Sequence, residues 1–280
     1  MDKSILNIYV FILLTFSNVA WVQPENMTEN VPKILLQQVE QGDAESAYFI
    51  GTIFKDGTDE IEAQTEQAEY WFSRGAEMGH AFSMYEVAEI QFDKKEYQKA
   101  KEWYQLATEQ GHGDSFYKLA YYPMYGYNDT PLDCKAAYAL LDEARLRKVK
   151  GAFNDQAWML STLPDSRCRS GEKAWRIYSE LEALFGQSGA IPWAYWDTKA
   201  AVLAEISEFN SAIRLQKWIV EENCGLELSS EQDAMRKEVA AHLQKEQTEE
   251  LAYCQSFVER LQVYLNRSSW REDPPDINNN

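Results

Sequence analysis

Residues 68–79, Ala68-Glu69-Tyr70-Trp71-Phe72-Ser73-Arg74-Gly75-Ala76-Glu77-Met78-Gly79, decide the fold, because residues 100–111 repeat them. Ala68, Trp71, Phe72, Gly75, Ala76 and Gly79 recur as Ala100, Trp103, Tyr104, Ala107, Thr108 and Gly111, at a spacing of 32. A period of that length marks stacked supersecondary units, none of which can bury its apolar face alone. Within each copy the apolar positions fall at i, i+3, i+4 and i+7, the period of a helix. Small residues such as Gly75 and Ala76 let two helices approach closely, and large ones such as Trp71 and Phe72 fill the space between hairpins. Gly79 and Gly111 stand where a helix end calls for positive φ.

A second set of segments interleaves with the first. Gly42–Gly51 (GDAESAYFIG), Gly79–Ala88 (GHAFSMYEVA) and Gly111–Ala120 (GHGDSFYKLA) each open with Gly and end on a small residue. Asp56-Gly57 and Asp93-Lys94-Lys95 supply polar turns inside the hairpins. This order, a small-residue first helix, a turn, then Ala-x₂-Trp-Phe/Tyr-x₂-Gly/Ala-Ala-x₂-Gly, resembles Sel-1-like repeats, a branch of the tetratricopeptide superfamily. Residues 42–80 match well, 79–112 with a shortened turn and 111–150 loosely, through Ala137, Leu140, Leu141 and Ala144. The second half, through Asn154–Thr162, Asp197–Ala201, Ala212 and the closing Trp270-Arg271-Glu272, resembles a related tetratricopeptide type seen in bacterial proteins. It departs from that pattern in a long insertion between Cys224 and Leu261, which reads as one or two capping helices.

The resemblance implies an all-α fold, an α-solenoid of stacked antiparallel helix hairpins with a right-handed superhelical sense. The organisation expected is a signal peptide over 1–20, a capping segment over 21–40 and Sel-1-like repeats over 41–150. Tetratricopeptide-like repeats over 151–228, capping helices over 229–272 and a disordered tail over 273–280 follow. Pro32, Pro131, Pro164 and Pro192 fall at expected helix starts or turns, where a missing N–H does least harm. Pro123 is expected to terminate the helix through Tyr117 and open the Met124–Tyr127 loop. No alternating strand pattern occurs.

The net charge is −18. Such a surface repels phosphate backbones and anionic membranes, so nucleic acid is not expected as a partner, whereas a basic protein surface is compatible. The run Ile5–Phe16 is apolar except for Asn7 and Thr15, too short to span a bilayer and of the length of a signal-peptide core. Cleavage after Ser17 or Ala20 would leave an exported protein, periplasmic or secreted, with no stable membrane insertion; an uncleaved anchor is the alternative. Cys134, Cys168, Cys224 and Cys254 then belong to an oxidising compartment. Four cysteines allow three pairings. Cys134 with Cys168 and Cys224 with Cys254 is the preferred one, since each pair joins neighbouring helical units; four free buried thiols are the alternative.

The sequence holds no Gly-rich phosphate loop, His-Glu-x-x-His, Gly-x-Ser-x-Gly or dinucleotide fingerprint. No catalytic, cofactor-binding or metal-binding residues are therefore assigned, and no cofactor is expected. Ser115–Lys118 and Ser170–Lys173 do have the Ser-x-x-Lys spacing of penicillin-recognising enzymes, which makes a cell-envelope Ser–Lys amide hydrolase the alternative function. Neither is accompanied by Ser-Asp-Asn or Lys-Thr-Gly, and both lie on repeat helices. His80 and His112 precede first helices and read as helix-entry residues. Glu221-Glu222 and Glu249-Glu250 read as solvated helix faces. Asn26, Asn128 and Asn266 open glycosylation sequons that matter only in a eukaryotic secretory route. Tyr121, Tyr122, Tyr125 and Tyr127, with Trp193 and Tyr195, are core or a partner-binding patch, since Tyr and Trp dominate interface hot spots. The function expected is a non-catalytic protein–protein interaction scaffold holding a peptide, a helix or a partner subunit. Composition and pattern leave the oligomeric state open.

Overall fold

A computed structural model describes residues 31–186, 191–244 and 249–272, the side chains of 249–253 excepted. The expected signal peptide, the first part of the capping segment, the Asn26 sequon and the tail over 273–280 lie outside the described residues. Among the described residues all regular structure is helical, and no helix is long and apolar enough to cross a membrane. The chain divides into two compact units, one ending at His112 and one beginning at Gly113.

The first unit contains α1 (Lys33–Glu40), α2 (Ala44–Asp56), α3 (Thr65–Glu77), α4 (Ala81–Asp93) and α5 (Tyr97–Glu109). Each boundary has a local cause. Asp43 caps α2 by accepting from the Glu45 N–H and the Ser46 hydroxyl, satisfying donors that a helix start leaves open. His80 caps α4, its Nδ1 accepting from the Ser83 N–H at 3.3 Å. Gly79 and Gly111 do take positive φ, at 90° and 81°, and end α3 and α5. The pairs α2–α3 and α4–α5 form hairpins, and α3 packs on α4 between them. Their shared core holds Ile50, Phe54, Trp71 and Phe72, with Ala47 and Ala76 at the close approaches. Gly51 faces the Phe72 ring so closely that an added Cβ would lie 2.5 Å from two ring carbons. The small position thus sets how near the two helices come.

The second unit contains α6 (Gly113–Tyr125), α7 (Cys134–Leu146), α8 (Lys150–Thr162), α9 (Gly171–Gly186), α10 (Trp193–Glu205), α11 (Phe209–Cys224), α12 (Gln232–Leu243) and α13 (Glu249–Leu265). Pairs α6–α7, α8–α9 and α10–α11 form hairpins, α8 also lies against α10, and α13 packs on α11 and α12. Two helices occupy the insertion after Cys224. Asp133 caps α7 by accepting from the Lys135 and Ala136 N–H groups. Pro123 does not end its helix. α6 continues to Tyr125, and Gly126, at φ 80°, stops it. A proline in the last turn removes only one N–H and needs no break one residue later.

Disulfides join Cys134 to Cys168 and Cys224 to Cys254, with Cα separations of 5.9 and 5.7 Å. The first ties the start of α7 to the turn between α8 and α9. The second ties the end of α11 to α13. Beyond α13, residues 268–272 return along the hairpin ends: Ser269 donates to the Ala204 carbonyl, the Arg271 guanidinium to the Ser161 carbonyl, and the Glu272 N–H to the Thr162 carbonyl.

Candidate functional site

In the first unit the first helices of successive hairpins carry a chain of rings. Tyr48 on α2 lies 5.9 Å from Phe49, 5.0 Å from His80 and 5.9 Å from Phe82 on α4, centroid to centroid. Phe82 meets the edge of His112 at 4.8 Å, and Tyr85 meets the same imidazole at 4.8 Å. Tyr48 and Tyr85 occupy equivalent repeat positions, six residues after Gly42 and Gly79. Two of these rings are open to solvent, Phe49 at 48% and Phe82 at 53%. Each lies 5.9 Å from Tyr48, and an exposed Phe side chain forgoes burial worth about 1.5–3 kcal/mol. Burial pushes the His80 pKa down against the opposing charges of Glu45 and Asp43, and its Nδ1 is occupied as a cap.

The same unit is strongly acidic. Residues 31–112 contain sixteen carboxylates and seven Lys and Arg, and Lys55, Lys94 and Lys99 are paired with Glu86, Glu69 and Glu96. Asp43 and Glu45 flank the ladder at its α2 end.

In the second unit Tyr121 and Tyr125, singled out by sequence, gather beside Tyr117 and Asp155, which were not. Tyr117 donates its hydroxyl to Asp155 Oδ2 at 2.8 Å, and Tyr121 donates to the Tyr117 hydroxyl at 3.0 Å. Tyr121 packs edge-on against Tyr117 and Tyr125, both at 5.2 Å. Tyr195 is raised in pKa by burial and then by the charge of Asp155. Burial also raises the Asp155 carboxyl, opposed by hydrogen bonds from Tyr117 and Asn154. Tyr122 leaves this group, being 1% exposed and hence core rather than contact surface. Tyr127 lies edge-on to Tyr125 at 6.3 Å. Trp193 is 42% exposed and stacks edge-on against Phe257, and it takes no part in the hydrogen bonds around Asp155.

Deeper in this unit Arg260 pairs with Asp197 at 3.0 Å under the rings of Trp158, Phe257 and Trp270. Beside the first disulfide is a cleft of about 270 Å³ lined by Pro123, Met124, Leu132, Met159, Leu163 and Pro164 among others.

Neither Ser-x-x-Lys pair is arranged as a nucleophile and its base. Ser115 is fully buried on α6. Ser170 caps α9, accepting from the Lys173 N–H at 3.3 Å, while the Lys173 ammonium lies over the Tyr138 ring and 4.0 Å from Asp142. Among the described residues no group of three His, Cys, Asp or Glu could hold a metal ion. Sequence reading missed Phe49, Phe82 and Asp155. The first two lay inside the quoted repeat segments, and their signal is a large apolar residue on the polar side of a first helix.

The Sel1 repeat family matches residues 44–80, 81–112 and 115–146. Two solved structures share the fold. One is the Escherichia coli protein c5321, described as a protective antigen of uropathogenic strains displaying an SLR fold. It has 16% identity and a TM-score of 0.56, covering 84% of this chain and 56% of its own. The chain thus spans about half the length of that relative. The other is a Sel1 repeat protein from Oxalobacter formigenes, with 18% identity and a TM-score of 0.56, covering 76% of this chain and 93% of its own. A comparison with curated proteins gives no match. From Ala44 to Leu146 the chain is built of three successive Sel1 repeats.

Proposed function

We propose that the chain is an exported, non-catalytic scaffold whose first-helix face holds a basic segment of a protein partner. The observation carrying this reading is the ring ladder from Tyr48 to His112, open at Phe49 and Phe82 and set in a unit with more than two carboxylates per Lys or Arg. Repeat proteins use such faces for binding, aromatic anchors supply hot-spot energy, and a negative field selects and steers a positive partner. The two disulfides support export, because such bonds persist in oxidising compartments.

A photo-crosslinking residue at position 82, with the same residue at exposed Glu172 as control, tests the face in the intact cell envelope. The expected result is one partner crosslinked at 82 through a Lys- or Arg-rich segment, and binding of that partner weakened at least tenfold by the double change Phe49→Ala, Phe82→Ala. Equal crosslinking at 82 and 172, a chain recovered in the cytoplasm with an intact N-terminus, or a crosslinked segment free of basic residues sinks the reading.

A further inference from the structure

Asp155 is an acidic group with no basic counterpart. It is half-buried on α8, and its hydrogen-bond donors are the Tyr117 hydroxyl and the Asn154 amide. Among the described residues no Lys or Arg forms an ion pair with it. Cations elsewhere in this unit have other contacts. Arg260 pairs with Asp197, and Lys118 lies over the Tyr121 ring at 5.7 Å. Two hydroxyl and amide donors offset only part of the cost of holding a carboxylate away from water, and a cation at that point would offset the rest.

The surroundings are shaped for such a cation. Tyr117, Tyr121 and Tyr125 stand one turn apart on α6, and successive rings are turned 76° and 78° to each other. Rings set nearly perpendicular make walls rather than a flat stack. Tyr195 approaches from α10, close enough for the Asp155 charge to act on it, and Glu272 acts in the same way on Tyr125. The Glu272 backbone is held at the end of α8 by its N–H bond to the Thr162 carbonyl, and its carboxylate accepts from Trp270 Nε1. Gly151 on α8 lets the Tyr117 ring lie close against the helix beside Asp155: an added Cβ there would lie 2.9 Å from the Tyr117 hydroxyl. Aromatic faces with a carboxylate at their base are the chemistry that recognises ammonium and guanidinium groups.

We propose that Asp155 and the tyrosines around it form a binding site for an organic cation, the ammonium or guanidinium group of a basic ligand. That the cation is a partner's Lys or Arg side chain rests on the scaffold reading above; the site itself does not. The carboxylate supplies the counter-charge, the ring faces hold the alkyl stem and the charged head, and the Tyr117 hydroxyl fixes the carboxylate's orientation.

Calorimetric titration of the disulfide-intact full chain tests this with three probes. Nα-acetyl-arginine amide represents a partner side chain, agmatine a free small amine, and Nα-acetyl-norleucine amide an uncharged stem. Both cations should bind at least tenfold tighter than the norleucine amide. Asp155→Asn, which keeps the size of the group and can still accept from Tyr117, should remove that tenfold advantage while the circular dichroism spectrum stays unchanged. Agmatine binding tenfold tighter than the arginine amide assigns the site to a free amine, and comparable affinities assign it to a side chain. Arginine amide bound as tightly by Asp155→Asn as by the parent, or no more tightly than the norleucine amide, overturns the site. If Asp155→Asn does not fold, Tyr121→Leu serves instead, with the same tenfold loss expected and unchanged binding overturning the proposal. Failure here with the position-82 crosslink intact leaves the scaffold reading standing.

Discussion

The first unit contains no cysteine and the second contains all four. The first is also the more regular: α2, α3, α4 and α5 are each thirteen residues long, and small residues recur at the same places. Equal lengths and recurrent small positions let each hairpin nest on its neighbour by shape, so packing holds the stack. In the second unit α6, α7, α8 and α10 keep that length, but α9 and α11 lengthen to sixteen residues and α13 to seventeen. Two covalent links and a buried ion pair appear there. Where the repeat loses its regularity, bonds of longer sequence range take over from shape.

The sharpest way to break that comparison is Arg260→Ala. It leaves the buried Asp197 without its cation, and removing one member of a buried pair costs about 3–5 kcal/mol. Arg74→Ala, at an exposed position of α3, is the matching change in the first unit and should stay within about 0.5 kcal/mol. Urea unfolding of the two variants reads the difference; equal midpoints would mean the ion pair holds nothing.

Helix order, hairpin pairing, the cysteine partners and the glycine stops were legible in the sequence, since all follow from periodicity and local φ. Two kinds of feature were not. The end of α6 was placed at Pro123, although the last turn of a helix tolerates a missing N–H, and the αL residue Gly126 was the real stop. The ring ladder and the Asp155 site draw residues from two or three helices, so no single-helix pattern reports them. Tyr121, Tyr125 and Tyr195 were visible as candidates, yet which of them face a shared carboxylate depends on how α6, α8 and α10 are turned against one another. Asp155 itself carried one sequence signal, a carboxylate between Phe153 and Trp158 on a helix otherwise rich in small and apolar residues.

Removing the cross-links gives the next largest effect. The loops closed by Cys134–Cys168 and Cys224–Cys254 span 34 and 30 residues, and opening a loop of that size restores unfolded-state freedom worth about 3–4 kcal/mol on the chain-entropy account. Cys134→Ala with Cys168→Ala should lower stability by that amount. Hydrogen exchange should quicken in α7, α8 and α9 while α2 to α5 keep their protection. Faster exchange in the first unit instead would contradict the division of labour between shape and cross-links.

The smallest effect tests shape alone. Gly51→Ala adds a methyl that meets two Phe72 ring carbons at 2.5 Å, and Phe72 is fully buried, so the ring has nowhere to turn. Overpacking of this kind costs about 1–3 kcal/mol. Replacing a helical glycine by alanine returns about 1 kcal/mol of helix propensity. The net expectation is a loss of up to about 2 kcal/mol. Gly186→Ala, in the second unit, is the control, because an added Cβ there meets nothing within 4 Å and only the propensity gain remains. Opposite signs for the two substitutions in thermal unfolding would tie the first unit's stability to the approach of α2 and α3. If Gly51→Ala stabilises as Gly186→Ala does, the two helices have room to spare, and the small positions of the repeat are tolerated rather than required.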